Sequence, residues 1–580
     1  MGPMARTVAV LGGGVAGLSA AHELAERGFA VSVYESRDIF GGKARSFGVP
    51  GSAAGARADL PAEHGFRFFP GFYKHLPDTM RRIPFPGRAD GVAGNLVTAT
   101  RALLAQAGGR NELLGVTHAA GSLDDLSAVS RFLRDWASQV GIPAHEHALF
   151  VERLLTLLTS CDERRLEQFE RQSWWEYSGA ERRSEAYGKF LADGLTRTLV
   201  AARAREMSAR TGGLILLQLL FDLTRVGGRA DRVLDAPTQE AWLTPWVEHL
   251  SGRGVTLHAD APVAGIEFDG RRITGVRVSR GPGAPAERVT ADHYVAALPV
   301  EQLRLLLTPE LRRAEPALAR LDRLVTRWMN GIMFYLDRDV PLVHGHAIYI
   351  DSAWSLTSIS QAQFWGGRKL AEDYGDGRVE GILSVDVSEW ERPGPRTGKA
   401  AAKCTPEEIR AEVWGQLADH LNDGAAPVLD EANVLAWFLD PAIEFPNPTE
   451  ATNLEPLLIN TAGSWADRPE AATAIPNLVL ASDFVRTHTD LATMEGANEA
   501  ARRAVNAILD ASGSAAPRCR LWKPEEPAVF APARALDKLR WRLFRRPPKS
   551  PLRVKADGGV EPTGPIASAM TAVAARIGRR

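Results

Sequence analysis

Cysteine is scarce in this chain of 580 residues, where Cys161, Cys404 and Cys519 stand far apart. Three isolated thiols support neither a disulfide framework nor a paired-cysteine metal site, and they read as reduced residues of a cytosolic protein. Net charge is scarce too, since 69 Lys and Arg against 70 Asp and Glu leave −1. No global field then draws the chain to nucleic acid, and no such partner is expected. No run of about twenty apolar residues occurs, so no bilayer span is predicted. The first residues lack a basic region followed by an apolar core, and no secretory signal is predicted. Neither a ligand cluster with metal spacing nor a catalytic triad stands out, so no metal is expected. What is plentiful is apolar material, 45% of residues. That is enough for large cores, and length alone would suggest about four domains.

The most informative stretch is Gly12-Gly13-Gly14-Val15-Ala16-Gly17. It lies between an apolar run over 8–11, read as a strand, and a helical pattern over 18–27. Gly12 permits a tight strand-to-helix turn, Gly14 lets backbone approach a pyrophosphate with no Cβ in the way, and Gly17 lets the helix pack closely on the sheet. The helix start at Val15 and Ala16 then offers free N–H groups and a positive dipole end to the phosphates. A second strand over 30–34 ends at Glu35, beside Ser36. This acid falls about twenty residues after the glycines, where a dinucleotide fold needs an acceptor for ribose hydroxyls. Strand, glycines, helix, strand and acid in register predict a Rossmann-like unit.

Gly41-Gly42-Lys43-Ala44-Arg45 follows the acid, and two later stretches return to the same site. A helical pattern over 241–250 and a strand over 254–258 lead to Val263, with 261–268, 273–278 and 292–299 read as further strands of the sheet. A strand over 477–483 ends at Asp483, and Met494-Glu495-Gly496-Ala497 opens a helical pattern reaching 509. Together these pieces resemble the FAD-containing amine oxidase and carotenoid desaturase superfamily. The resemblance implies FAD as cofactor, with the paired glycine and Arg45 touching its phosphates and Val263 holding the adenine. It also implies Asp483 at the ribityl or pyrophosphate region, and Met494, Glu495 and Ala497 at a helix start aimed at the flavin pyrimidine. A positive helix end there would stabilise an anionic reduced flavin. Ala481 and Ser482 stand where the family usually has a glycine before the acid.

Glu63-His64-Gly65-Phe66-Arg67-Phe68-Phe69-Pro70-Gly71-Phe72-Tyr73 is similar to the segment beside the flavin in carotenoid desaturases of the plant and cyanobacterial type, as are 234–238 and 383–390. Phe66, Arg67 and Phe68 are thereby placed at the cofactor. Arg67 stands where those phytoene and zeta-carotene desaturases carry a histidine, and an arginine cannot accept a proton. It reads either as an altered catalytic group or as a structural cation paired with Glu63 or the cofactor. Residues 85–235 are mostly helical by period, whereas 301–454 add strands expected to form a sheet roofing the flavin. His346, Tyr349 and Trp354 are the polar-aromatic candidates near a substrate, and Arg67, His346 and Tyr349 are taken as catalytic candidates. Trp174, Trp175, Tyr177, Phe190 and the run 214–221 read either as cavity lining or as ordinary core.

Residues 511–533 are rich in Pro and Ala and look like a linker, after which 534–555 carries nine Lys or Arg against the single acid Asp537. Leu536, Leu539 and Leu543 repeat there at helical spacing. Such a helix suits an anionic membrane surface, at about 1 kcal/mol per cation, or packs on the body as a solvated helix. Residues beyond 547 read as disordered.

The expected fold is α/β, with a Rossmann-like FAD-binding domain (1–84, 236–300 and 455–510), an inserted α+β substrate domain (85–235 and 301–454) and a tail (511–580). The expected activity is an FAD-dependent oxidoreductase. It would desaturate or oxidise an apolar isoprenoid-like substrate, carotenoid or terpenoid, by hydride transfer to flavin N5, with quinone or oxygen as acceptor. The expected location is the cytoplasm, peripheral on the inner face of the membrane. An amine oxidase acting on a C–N bond, a squalene-type dehydroxylase and a non-catalytic flavoprotein remain as alternatives.

Overall fold

The computed structural model describes residues 6–114, 123–194, 202–223, 231–280, 285–547 and 550–564, with Ala569 and Val573. A five-stranded parallel sheet runs in the order Leu478–Leu480, His293–Ala296, Thr7–Leu11, Ala30–Tyr34, Thr256–His258. Its strands come from three widely separated stretches of chain. Parallel strands covered on both faces carry continuous apolar runs, and Val8, Ala9, Val10 and Leu11 are all buried. Helices Val15–Ala25 and Met494–Ser512 pack against each other on this sheet. Small residues make the close contact possible, with Ala20 and Ala21 buried on one helix and Ala500, Ala501 and Ala504 on the other. Asn498 Nδ2 adds a bond to Ser19 Oγ at 2.8 Å.

Strands Val263–Phe268, Ile273–Val278 and Glu287–Val289 form a separate antiparallel sheet instead of continuing the parallel one. The cause is local. A tight turn at Gly270 joins the first two, and adjacent strands connected so directly must run antiparallel.

The second large sheet has seven strands, in the order Val434–Leu439, Asn330–Leu336, Gly381–Val387, Leu356–Ser360, Gly345–Tyr349, Arg101–Gln106, Gly109–Leu114. Neighbours are antiparallel except Gly345–Tyr349 with Arg101–Gln106. Side chains alternate between its faces. Phe334, Tyr349 and Val385 share a core with Ile409 and Trp414 of helix Pro406–Leu421, which Thr405 and Glu408 open with a capping box. The other face meets strand Pro61–Glu63, where Tyr335 Oη donates to Pro61 O at 3.0 Å. Helices Leu123–Gln139, Ala144–Thr159 and Ala209–Leu223 enclose a third core around Phe150, Trp174 and Tyr187.

The C-terminal region is packed onto this frame. Cys519 exchanges backbone bonds with the Asn506 side chain at 2.7 and 3.0 Å, and Val529 and Phe530 are buried. The Pro- and Ala-rich stretch is therefore a strap held along the body. Helix Ala531–Phe544 lies on helices Ala144–Thr159 and Asp162–Glu167. Its inward contact is Asp537, which accepts from Arg164 at 2.8 to 3.1 Å and from the Cys161 N–H at 3.0 Å. Leu539, Leu543 and Phe544 stand outward, each more than half exposed. Past residue 547, where disorder is expected, strands Leu552–Val554 and Val560–Pro562 pair as a hairpin. The Val560 N–H bonds Ser127 Oγ at 2.8 Å, and Leu552 and Val560 are buried, which supplies the apolar contact that composition concealed.

Candidate functional site

The glycine run folds as its residue types require. Gly12 holds φ 104°, and a Cβ on Gly17 would run into Gly12 O, so the turn admits no side chain at either position. Gly14 is the N-cap of helix Val15–Ala25 and no side chain caps it. Backbone N–H groups at Val15 and Ala16 are left for an anion at the positive helix end. Gly41 and Gly42 face this turn, close enough that a Cβ on Gly42 would lie 3.0 Å from Gly14 Cα. Glu35 ends the second strand with Oε2 accepting the Gly13 N–H at 2.8 Å and Oε1 accepting Ser36 Oγ and the Arg37 N–H at 3.0 Å. Its carboxylate braces the glycine turn and keeps lone pairs for a further donor.

The second glycine turn is tied to residues 455 and 456. Lys43 Nζ donates to Glu301 Oε1 at 2.7 Å and to Pro456 O at 2.5 Å. Ala44 is buried, and Arg45 donates to Gly42 O at 2.9 Å and to the two Glu455 oxygens at 3.0 and 2.9 Å. Burial opposes the charge of Glu455, yet Arg45, His64 and Arg37 outweigh it and hold the carboxyl below its ordinary range. Val263 is half-buried at the start of its strand. Asp483 is half-buried past strand Leu478–Leu480 and accepts from Ser482 Oγ at 3.3 Å. The Ala481 N–H bonds Ala296 O at 2.9 Å, so the backbone passes here without a glycine.

Helix Met494–Ser512 opens with Thr493 Oγ1 accepting the Gly496 N–H at 3.1 Å, and Ala497 is half-buried in its first turn. Glu495 turns away from the cavity described next. It accepts the N–H groups of Lys74, His75 and Leu76 at 2.7 to 2.8 Å and pairs with His75 Nδ1 at 2.7 Å. Its carboxylate is committed to the start of helix His75–Arg81.

A cavity of about 210 Å³ lies against the inner face of the seven-stranded sheet. Its lining is mostly apolar, including Phe66, Phe68, Phe72, Ile215, Leu219 and Leu457, and Thr493 and Met494 join it from the start of helix Met494–Ser512. The roof is polar. His346, Thr357 and Asp386 come from three adjacent strands. Thr357 stands opposite Asp386, and Ile348, on the same face as His346, stands opposite Thr357. His346 Nε2, Thr357 Oγ1, Asp386 Oδ1 and Arg67 Nε are buried with no hydrogen-bond partner. Asn460 Oδ1, on the same cavity, is a fifth, and because buried polar atoms are nearly always paired, five orphans in one cavity mark a place where a polar group binds. A Cβ on Gly65 would lie 2.7 Å from Asp386 Oδ1, so glycine is needed for the backbone to pass the acid. Burial pushes the Asp386 carboxyl up to about 7, against the pull of Arg67 and of the Phe66 N–H. Burial also lowers His346 to about 4, which leaves its ring neutral at pH 7. That ring packs on Phe66 and Phe68 with centroids 5.2 and 4.9 Å away.

Of the catalytic candidates from sequence, Arg67 and His346 are brought together at this cavity. Tyr349 is not. Three residues past His346 in one strand it faces the opposite side, pairs with Ser358 Oγ at 2.9 Å and belongs to the core around Trp414. Trp354 sits in that same core and donates to Arg392 O at 3.0 Å. Arg67 is not paired with Glu63, whose carboxylate accepts from Thr238 Oγ1 at 2.5 Å; it donates instead to Gly65 O. Trp174 and Tyr177 are helical core, whereas Ile215 and Leu219 of the leucine-rich run do line the cavity. Sequence alone does not single out Asp386 or Thr357. For Asp386 a signal exists, an acid inside an otherwise uncharged strand, Gly381–Val387, every residue of which is buried. Thr357 offers none, because threonine is common in strands.

The sequence pattern of flavin containing amine oxidoreductases matches residues 15–509, most of this chain. The chain belongs to that family. Membership in the flavin-containing amine oxidoreductases implies a flavin cofactor and oxidoreductase chemistry. Within curated proteins, the chain is 25% identical over 523 residues to a zeta-carotene desaturase of Synechocystis sp., covering 87% of this chain and 97% of that one. It is also 25% identical over 333 residues to a 15-cis-phytoene desaturase of Synechococcus elongatus, a match spanning 57% of this chain and 65% of the relative, just under two thirds of its length. A solved structure of cyclohexylamine oxidase from Brevibacterium oxydans aligns with a TM-score of 0.53 at 14% identity, over 88% of this chain and 100% of that one. An oxidoreductase from Methanosarcina mazei aligns with a TM-score of 0.53 at 14% identity, over 85% and 98%. These two structures share the fold: a Rossmann-like α/β flavoprotein.

Proposed function

We propose that the protein is an FAD-dependent oxidoreductase that desaturates or otherwise oxidises an apolar, isoprenoid-like substrate, with quinone or oxygen as the final electron acceptor. The cavity carries this reading, because Phe66, Phe68, Ile215 and Leu219 line it together with Met494 at a helix start. The desaturase relatives support it. A pyrophosphate fits the uncapped start of helix Val15–Ala25, where Gly14 and Gly42 face each other. Glu35 would serve the ribose, Val263 the adenine, and Asp483 with the backbone of Met494 and Ala497 the flavin end.

A bound flavin supplies an acceptor for two electrons and a hydrogen in the form of a hydride. The residues of this chain hold the substrate, exclude water and take the proton that leaves with it. Loss of one hydride and one proton from adjacent carbons turns a single bond into a double bond. We assign the proton to Asp386 Oδ1, a buried atom without a partner. Its carboxyl, raised to about 7, lies in the range where a general base works best at neutral pH. His346 and Arg67 stand in the same cavity.

Peripheral contact with an anionic membrane belongs to the same proposal. No described helix is long and apolar enough to cross a membrane. Helix Ala531–Phe544 turns Leu539, Leu543 and Phe544 outward, with Arg540 next to Leu539 in sequence, while the Arg164–Asp537 pair and the Glu163 bonds to Lys538 and Arg542 hold its other side to the body. That arrangement suits a helix lying among lipid headgroups.

Anaerobic mixing of the flavin-loaded protein with isoprenoids and with amines tests the activity, read as bleaching of the flavin absorbance and as product mass. Bleaching by isoprenoids is expected. Bleaching by amines alone would assign C–N oxidation, and bleaching by neither would leave a flavoprotein without this activity.

A further inference from the structure

A substrate that is only hydrocarbon can give Asp386 a proton but leaves the polar cavity roof without hydrogen-bond partners. It offers no donor or acceptor, so His346 Nε2, Thr357 Oγ1, Asp386 Oδ1 and Arg67 Nε would stay unpaired beneath it. Each buried group left so costs about 1–3 kcal/mol, and apolar residues in the same strand positions would avoid that cost.

We infer that the substrate carries a neutral oxygen, hydroxyl or carbonyl, seated under strands Gly345–Tyr349, Leu356–Ser360 and Gly381–Val387, with its apolar body along Ile215, Leu219 and Leu457. The inference rests on the flavin oxidoreductase reading above and narrows its substrate class. Register places the roof groups together: residues directly opposite on antiparallel strands have Cβ atoms about 4.5–5.5 Å apart, and Thr357 is opposite Asp386. One oxygen can therefore meet both.

The chemistry of the set favours a neutral group. Arg67 Nε donates, the Thr357 hydroxyl donates or accepts, and Asp386 donates when protonated and accepts when ionised. A hydroxyl matches either state, and a carbonyl matches the donors. An ammonium group would share the cavity with the Arg67 guanidinium, and a carboxylate would share it with Asp386. Either would meet a like charge as well as an opposite one in a poorly solvated space, whereas a neutral oxygen meets no such repulsion. A carbonyl next to the reacting carbons would also make the neighbouring C–H acidic, which gives a carboxylate at Asp386 a proton it can remove.

Equilibrium binding to the oxidised holoprotein tests this without turnover, with dissociation constants from quenching of tryptophan fluorescence. The probes are geranylgeraniol, its aldehyde and the hydrocarbon of the same carbon number. The alcohol or the aldehyde is expected to bind about ten-fold more tightly than the hydrocarbon. Thr357→Val should remove most of that preference, leave hydrocarbon binding unchanged and retain flavin, while Thr357→Ser should keep the preference. Equal binding of the hydrocarbon by the natural protein, or an equal loss for all probes in Thr357→Val, would overturn the inference while leaving desaturation intact. Failure of every probe to bleach the flavin, with the oxygen preference present in binding, would instead remove the activity reading and support the oxygen site.

Discussion

Thr357 and Asp386 stand directly opposite each other on neighbouring antiparallel strands, and neither Thr357 Oγ1 nor Asp386 Oδ1 has a hydrogen-bond partner. Two β-branched apolar residues would serve the sheet better at these positions. The pair therefore costs the fold stability, and the cavity beneath it is where that cost is recovered as binding and chemistry.

The Asp386 carboxyl, pushed up to about 7 by burial against the pull of Arg67, sets a pH limb. Flavin reduction by substrate should rise as pH increases through about 7 and then level off, and Asp386→Asn should lose that limb and slow reduction by roughly 10²–10⁴. Anaerobic stopped-flow between about pH 5 and 9 checks it. The stability sign runs opposite to that of an ordinary ion-paired acid. Its pKa is higher folded than unfolded, so its contribution is full below the unfolded carboxylate range and is lost as pH rises through about 7. Asp386→Asn should then be more stable than the natural protein near pH 8, by roughly 1–3 kcal/mol. An Asn variant less stable than the natural protein near pH 8 would count against this buried acid.

Gly14 and Gly17 should fail differently. A Cβ on Gly14 meets Gly42 Cα at 3.6 Å, an ordinary contact, and φ −75° at this position suits any residue. Gly14→Ala should fold and melt as the natural protein does but lose flavin, because its methyl group stands where the pyrophosphate would lie. Gly17→Ala would press into Gly12 O and should lose roughly 1–3 kcal/mol or more as well as flavin. Flavin content and thermal melts of the two purified variants decide it, and full flavin retention by Gly14→Ala would move the cofactor elsewhere.

His346 and Tyr349 lie three residues apart but on opposite faces. Tyr349→Phe loses one bond to Ser358 Oγ and should cost about 1 kcal/mol with flavin reduction unchanged. His346→Leu should alter substrate binding. Because burial depresses the His346 pKa to about 4, its neutral form supports folding above the ordinary histidine range, and that support fades as pH falls from about 6.5 to 4. Chemical denaturation across that window should show the loss in the natural protein and its absence in His346→Leu.

The outward leucines should govern membrane binding. Replacing both Leu539 and Leu543 by Glu should abolish flotation with vesicles containing phosphatidylglycerol and leave flavin content intact. Raised salt should weaken binding of the natural protein. Arg164→Met would leave Asp537 buried without its partner, at a cost of about 3–5 kcal/mol that should free the helix from the body. Unchanged flotation by the double Glu variant would assign the exposed leucines to another contact.

The cofactor half of the fold was legible because glycines act through backbone geometry that neighbouring residues cannot replace. Gly12, Gly14 and Gly17 sit in the turn their spacing implies. The roof was less legible. Asp386 and Thr357 become one site only through the register of strands joined by long connections, and nothing local encodes that register. Tyr349 shows the converse, since its residue type suits a catalytic role and the two-residue period of its strand removes it from the cavity. The hairpin after residue 547 was hidden because its burial comes from Ser127 and the helices beside it, not from its own composition.

Glu495 has a mechanical consequence. Phe72 and Tyr73 line the cavity immediately before Lys74 and His75, and Thr493 and Met494 line it immediately before Glu495. One carboxylate bonded to Lys74, His75 and Leu76 thus rivets the aromatic part of the lining to the part at the helix start. Fastened together this way, these two parts of the lining resist moving apart, which favours guests of one girth held in one orientation.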